Sequence, residues 1–69
     1  MMPNSDWRKL EKERRDGAAW FNDLRSDQRF ELGDQFVLGT FDWVDWFDHK
    51  PTRAFLRGVE DARILWEMA

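Results

Sequence analysis

The sequence contains no cysteine and no tyrosine, and only two prolines and four glycines among its 69 residues. Without cysteine, neither a disulfide nor a thiolate zinc site can reinforce a small core, and a reducing compartment is the natural environment. No apolar run approaches the length that crosses a bilayer, and the first residues do not resemble a signal peptide. We therefore expect a cytoplasmic protein that does not associate with membranes.

The chain is short, and it is rich in large aromatic side chains. Its 69 residues predict a single domain, residues 1–69, and a chain of this size buries only about 60% of the surface that it exposes when unfolded. Five tryptophans and six phenylalanines supply more apolar area than one short chain easily hides. Small domains without disulfides or metals commonly associate, so we expect a homodimer.

The first half of the chain has the apolar periodicity of an amphipathic helix. Since a helix turns about 100° per residue, its apolar side chains fall on one arc of about 120°. The pattern predicts a helix over residues 5–32, capped by Asn4 or Ser5 and followed by a joint at Gly33, which suits a left-handed stop.

Arg14 and Arg25 lie inside this apolar arc. Their methylene groups can cover apolar neighbours while the guanidinium groups reach water. Alternatively, the two arginines meet acidic groups across a subunit or partner interface, which the planar guanidinium suits. Both interpretations remain open from the sequence.

The C-terminal segment TRAFLRGVEDARILWEMA predicts a second amphipathic helix. The apolar residues on its main line are Phe55, Val59, Ala62 and Trp66. Leu56 and Ile64 project from other faces, so we expect this helix to meet more than one neighbour.

The segment between these helices, FVLGTFDWVDWFDHKP, is acidic and aromatic. Residues 34–50 hold four aspartates against one lysine, which accounts for the net charge of -3, because acids and bases cancel elsewhere. As a strand the segment would mix acids and aromatics on both sides, whereas a helix separates them. We therefore predict an antiparallel return over residues 35–68, bent or broken near Pro51, with Asp48 as a cap. Whether residues 36–41 are helical or extended stays open, because FVLGTF favours strand.

Trp46 lies at the edge between the apolar and the acidic arcs of this predicted helix, beside Asp42, Asp45 and His49. The segment is either a core helix with a solubilising acidic face, or a protein interface in which Trp46 is the anchor. A third interpretation is that the aspartate face mimics nucleic acid phosphates. On the interface interpretation, the partner-binding residues are Trp46, Asp42, Asp45, His49, Arg14 and Arg25.

Signs of catalysis and of cofactor binding are few. Asp45 and His49 form an i, i+4 pair, but without cysteine they make a poor closed metal site. The serines and threonines fit helix caps, and there is no glycine-rich phosphate loop. A pI near 5.0 without an unbalanced basic face argues against nucleic acid binding. We expect no enzyme activity, no cofactor, no metal and no direct contact with nucleic acid.

As a type, a charged, tryptophan-rich helical protein of this length without cysteine resembles the small early phage proteins that disable host factors by binding them. Among these, it is similar in size and helical-hairpin form to the anti-activator that inhibits a LuxR-type quorum-sensing regulator. The resemblance implies a transcription regulator of the host as partner, blocked from its DNA by direct contact in the host cytoplasm. The alternative is a structural or regulatory subunit, such as an antitoxin-like or assembly factor, with no inhibitory role.

Overall fold

The computed structural model describes residues 4–69, and their side chains from residue 7 onward. In this part of the chain, the helices are Asn4–Asn22 (α1), Ser26–Leu38 (α2) and Arg53–Met68 (α3), with a 3-10 turn at Trp43–Asp45. The helices α1 and α3 pack against each other along their length. The predicted all-α helical hairpin is therefore confirmed. None of the described helices is both long enough and apolar enough to cross a membrane.

The prediction of one continuous helix over residues 5–32 is wrong, because the chain turns after Asn22 and a new helix starts at Ser26. The backbone N–H of Arg25 donates to Gln28 Oε1 at 3.1 Å and holds the first turn of α2. The turn brings Leu32 back onto Phe21, and both are fully buried in one core. In a straight helix they would be about 16 Å apart, so packing explains the break. The expected caps, Asn4 and Ser5, lie outside the described side chains.

The predicted joint at Gly33 is also wrong, since Gly33 lies inside α2 and is buried. A Cβ built at this position would lie 3.3 Å from Glu67 Oε1 and 3.6 Å from Arg63 Cδ, so α2 packs here against side chains of α3. The left-handed stop is Gly39, with φ 71°. It is followed by a bond from Thr40 N–H to Gln35 O at 2.9 Å, which closes the end of the helix.

The helical prediction for residues 36–47 holds only at its start. Residues 36–38 form the end of α2, residues 39–41 are not helical, and Asp42 is extended. Asp42 Oδ1 then accepts the N–H of Val44 at 3.2 Å and starts the 3-10 turn. Val44, placed in the apolar arc by the helical interpretation, is 61% exposed.

The expected break near Pro51 is present, and α3 begins at Arg53. Its cap is Thr52, whose Oγ1 accepts the N–H of Phe55 at 3.2 Å. The prediction that Asp48 caps this helix is therefore wrong. A threonine directly before the first turn is better placed for this bond than an aspartate four residues earlier.

The hairpin is built on a close backbone crossing of α1 and α3. A Cβ built at Gly17 would lie 2.0 Å from Phe55 O, and one built at Gly58 would lie 1.8 Å from Arg14 O. Only glycine permits this approach at both positions. Beside the crossing lies a small core, whose buried apolar residues are Phe21, Leu32, Val59 and Ala62.

The helix α3 also meets α2, so it has more than one neighbour, but the contacts are made by Trp66 and Arg63 and not by Ile64, which is 41% exposed. Trp66 makes edge contacts with Phe21 of α1 at 6.0 Å and with Phe30 of α2 at 4.7 Å, measured between ring centroids. The guanidinium of Arg63 lies 5.8 Å from the ring centroid of Phe36. The helix α2 is therefore held to α3 by aromatic side chains and by an arginine.

Candidate protein-binding surfaces

Trp46 follows the 3-10 turn and is half-buried against the core. Its indole Nε1–H donates to Gln35 Oε1 at 3.0 Å, and its ring meets that of Trp20 edge to face, with centroids 6.0 Å apart and planes at 84°. The hydrogen bond and the ring contact both fix the orientation of the indole. Trp46 is therefore an ordered side chain with one part packed and one part wet, as the sequence predicted, although it does not lie on a helix.

A cleft of about 440 Å³ opens beside this ring and joins α1, α2 and the 3-10 turn. We call it the Trp46 cleft, and its lining residues are Trp20, Leu24, Gln28, Glu31, Gln35, Asp45 and Trp46. The charged residues among them, Glu31 and Asp45, are both acidic and exposed. The cleft therefore combines two indole walls with negative charge.

The arginines nearest in sequence to this cleft have partners of their own. Arg29 Nη2 donates to Ser26 Oγ at 3.2 Å, and its guanidinium lies 5.2 Å from the ring centroid of Trp66. Arg25 Nε lies 3.4 Å from Asp27 Oδ1. The prediction that Arg25 lies inside the apolar arc of a first helix is wrong, because the chain breaks there and leaves Arg25 exposed before α2.

The structure brings together only part of the acidic site predicted around Trp46. Asp45 shares the cleft with Trp46, but the carboxylate of Asp42 caps the 3-10 turn. His49 lines a different groove, with Phe47. The four residues do not form one helical face, because the helix that would align them ends at Leu38. Among the described side chains, those of residues 7–69, no group of three or more His, Asp or Glu residues is placed to hold a metal ion.

Arg14 lies in the middle of α1 and bridges to α3. Its Nε donates to Asp61 Oδ2 at 2.8 Å, and its Nη2 contacts the same oxygen. The side chains of Arg14 and Asp61 are 52% and 35% exposed, so this pair is worth no more than about 1 kcal/mol. Of the two interpretations left open by the sequence, one gave Arg14 an acidic partner across an interface, whereas the structure gives it an acidic partner within its own chain.

A larger groove, of about 660 Å³, runs between the N-terminal halves of α1 and α3. We call it the α1–α3 groove, and its lining residues are Trp7, Leu10, Glu11, Arg14, Phe36, Arg53, Ala54, Leu56, Arg57 and Glu60. Trp7 and Leu10 are 62% and 45% exposed there. Sequence reasoning missed this groove, although Leu56 on a second face of α3 was a signal for it.

Many large apolar side chains are exposed in the described part of the chain. Those more than 40% exposed include Trp7, Leu10, Phe30, Val37, Leu38, Val44, Ile64, Leu65 and Met68. Exposed apolar side chains that lie together are typical of protein interaction surfaces.

No family model, curated protein or solved structure matches this chain at a significant level.

Proposed function

We propose that this chain is a non-enzymatic protein-binding protein that acts as a homodimer, with the α1–α3 groove as the dimer interface. The observation that carries the proposal is the exposure of two large apolar side chains in this groove, Trp7 at 62% and Leu10 at 45%. Tryptophan and arginine, both present in this groove, are the residues that dominate binding energy in protein interfaces.

The charges of the groove support a second copy as its occupant. In a two-fold interface the same surface faces itself, so a surface with charge of one sign repels its copy. The groove carries Arg53 and Arg57 together with Glu11 and Glu60, and opposite charges can therefore pair across a two-fold axis. The Trp46 cleft carries only acids and is unsuited to its own copy. We therefore assign the Trp46 cleft to the binding of a different protein.

We propose further that this different protein is a host protein in the cytoplasm, which the dimer inhibits by direct contact. The resemblance to phage anti-activators points to a transcription regulator of the LuxR type that is kept from its DNA. The exposed acids and the half-wet Trp46 suit a basic surface, such as a DNA-binding surface. A regulatory or assembly subunit, which binds its partner without inhibiting it, is the second candidate and uses the same surface.

The dimer is tested by light scattering coupled to gel filtration at tens of micromolar. We expect twice the 8.4 kDa of one chain, and a shift toward monomer for Leu10→Glu, which places a charge in the groove. The matched control is Val44→Glu, at an exposed valine outside the groove, and it should remain dimeric. A monomeric wild type would refute the dimer, and identical masses for the two variants would refute the groove as its interface. Circular dichroism confirms that both variants are folded.

The partner surface is tested by affinity capture from a host lysate with the wild type, Trp46→Ala and Val44→Glu. We expect a captured protein that is lost with Trp46→Ala and retained with Val44→Glu. A mobility-shift assay then shows whether the captured protein loses its DNA when the dimer is added. If the captured protein keeps its activity, this chain is a regulatory subunit and not an inhibitor. Capture that does not depend on Trp46 rejects the Trp46 side as the binding surface.

A further inference from the structure

We propose that the Trp46 cleft receives an arginine side chain of the partner protein. The inference rests on the proposed function, in which this side of the molecule binds that partner, and it names the chemical group that is recognised. The rings of Trp20 and Trp46 stand at 84° with centroids 6.0 Å apart, so they form a corner of two aromatic walls. Glu31 and Asp45 add carboxylates to the same cleft.

The charge of the cleft selects a cation. No lining residue is basic, and within the described residues neither Glu31 nor Asp45 has a base at ion-pair distance. Arg25 and Arg29 are engaged with Asp27 and with Trp66. The carboxylates of the cleft are therefore open to a cation from outside. Indole rings attract the same cation through their electron-rich faces.

The shape of the cleft favours a guanidinium. Its volume of about 440 Å³ is in the lower part of the range of ligand sites, roughly 300 to 1,000 Å³, and suits one long side chain. A guanidinium is planar and weakly hydrated, so it can stack on an indole while its N–H groups pair with carboxylates. An ammonium group is more strongly hydrated and cannot stack in this way.

The cleft is formed before anything binds. Gln35 Oε1 accepts the indole N–H of Trp46, and Gln28 Oε1 accepts the backbone N–H of Arg25. Gln35 thus fixes the indole of Trp46, and Gln28 fixes the first turn of α2, the helix that carries Glu31. Because fewer side chains must be ordered on binding, less of the interaction energy is lost as entropy.

The test is an NMR titration of the full-length protein with acetyl-arginine amide. The indole N–H signal of Trp46, assigned with Trp46→Phe, should shift and saturate. Acetyl-citrulline amide, which has nearly the same shape without the charge, should bind at least about tenfold more weakly. Glu31→Gln combined with Asp45→Asn should weaken arginine binding to the same degree.

The matched control removes two other acids, with Asp42→Asn combined with Asp48→Asn. It changes the net charge equally but lies outside the cleft, and asparagine retains the cap at position 42. We expect arginine to bind this variant as it binds the wild type. Equal binding of arginine and citrulline, or equal weakening in both double variants, would overturn the proposal.

The titration separates this inference from the proposed function. If arginine does not bind while Trp46-dependent capture of a partner persists, the protein-binding function stands and the arginine pocket is rejected. If arginine binds the cleft but no partner depends on Trp46, the pocket stands and the proposed partner surface is rejected.

Discussion

Replacing Gly58 by alanine tests the close crossing of α1 and α3. Alanine favours a helix over glycine by about 1 kcal/mol, so on local grounds the change should stabilise α3. The new Cβ would, however, lie 1.8 Å from Arg14 O and 2.7 Å from its carbonyl carbon. These are backbone atoms of another helix, so no side-chain rotation removes the clash.

The cost follows from the distance that the helices must separate. For the new Cβ to reach an ordinary van der Waals distance, α3 must move about 1.5 Å away from α1. A gap of 0.5–1 Å already removes roughly a quarter to a half of the dispersion energy of an atom pair. The packing of Phe21 on Val59 lies beside this crossing. Losing the packing of one core side chain costs about 2–5 kcal/mol. After the helix propensity is subtracted, we expect Gly58→Ala to destabilise by about 1–4 kcal/mol.

Two further glycines make the test specific. Gly17→Ala should behave like Gly58→Ala, because its Cβ would lie 2.0 Å from Phe55 O. Gly33→Ala is the matched control, since its Cβ would lie 3.3 Å from Glu67 Oε1, the movable end of a side chain. It should stabilise by about 0.5–1 kcal/mol through helix propensity.

The free energies of unfolding are measured by urea titration followed by circular dichroism, at one protein concentration because association would add to stability. A domain of this size is stable by roughly 3–10 kcal/mol, so Gly58→Ala can leave little folded protein. If all three alanine variants shift stability in the same direction and by a similar amount, the two helices do not cross in backbone contact and this reasoning fails.

Two other predictions concern the loop and the start of α3. Val44→Asp should change stability by less than about 0.5 kcal/mol, because Val44 is 61% exposed. Val59→Asp places a charge in a fully buried site and should prevent folding. Thermal melts compare the two variants, and a severe effect at Val44 would show that this residue is buried in a helix. Thr52→Ala should cost about 1 kcal/mol by removing the cap of α3, and Thr52→Ser should restore most of it. Asp48→Ala is the control in the same urea titration, and a larger loss there than at Thr52 would contradict the assigned cap.

The sequence by itself determined the all-α class and the last helix. The apolar spacing of Phe55, Val59, Ala62 and Trp66 is local and strong, so the existence of α3 follows from the sequence, although the cap was assigned to Asp48 instead of Thr52. The sequence also placed Trp46 between apolar and acidic neighbours, but it did so on a helix that the structure does not contain at this position.

Only the tertiary structure decided where the first two helices end. Residues 22–26 contain neither glycine nor proline, and the turn there exists because it brings Leu32 onto Phe21. Gly33 and Gly39 are equally able to stop a helix from a local point of view. In the folded chain Gly33 is buried inside α2, whereas nothing lies within 4 Å of a Cβ built at Gly39, which takes the left-handed φ of 71°.

The cleft likewise depended on the fold. Residues 42–47 have helical periodicity, but in the structure Phe47 contacts Trp20 at 4.5 Å and Phe55 at 5.4 Å between ring centroids. These long-range contacts hold the segment as a loop and place Trp46 against Trp20. Glu31 joins the site from α2, a helix whose start the sequence did not reveal. Local periodicity reports which residues share a face of a helix, whereas the assembly of a site from three segments depends on contacts far apart in the chain.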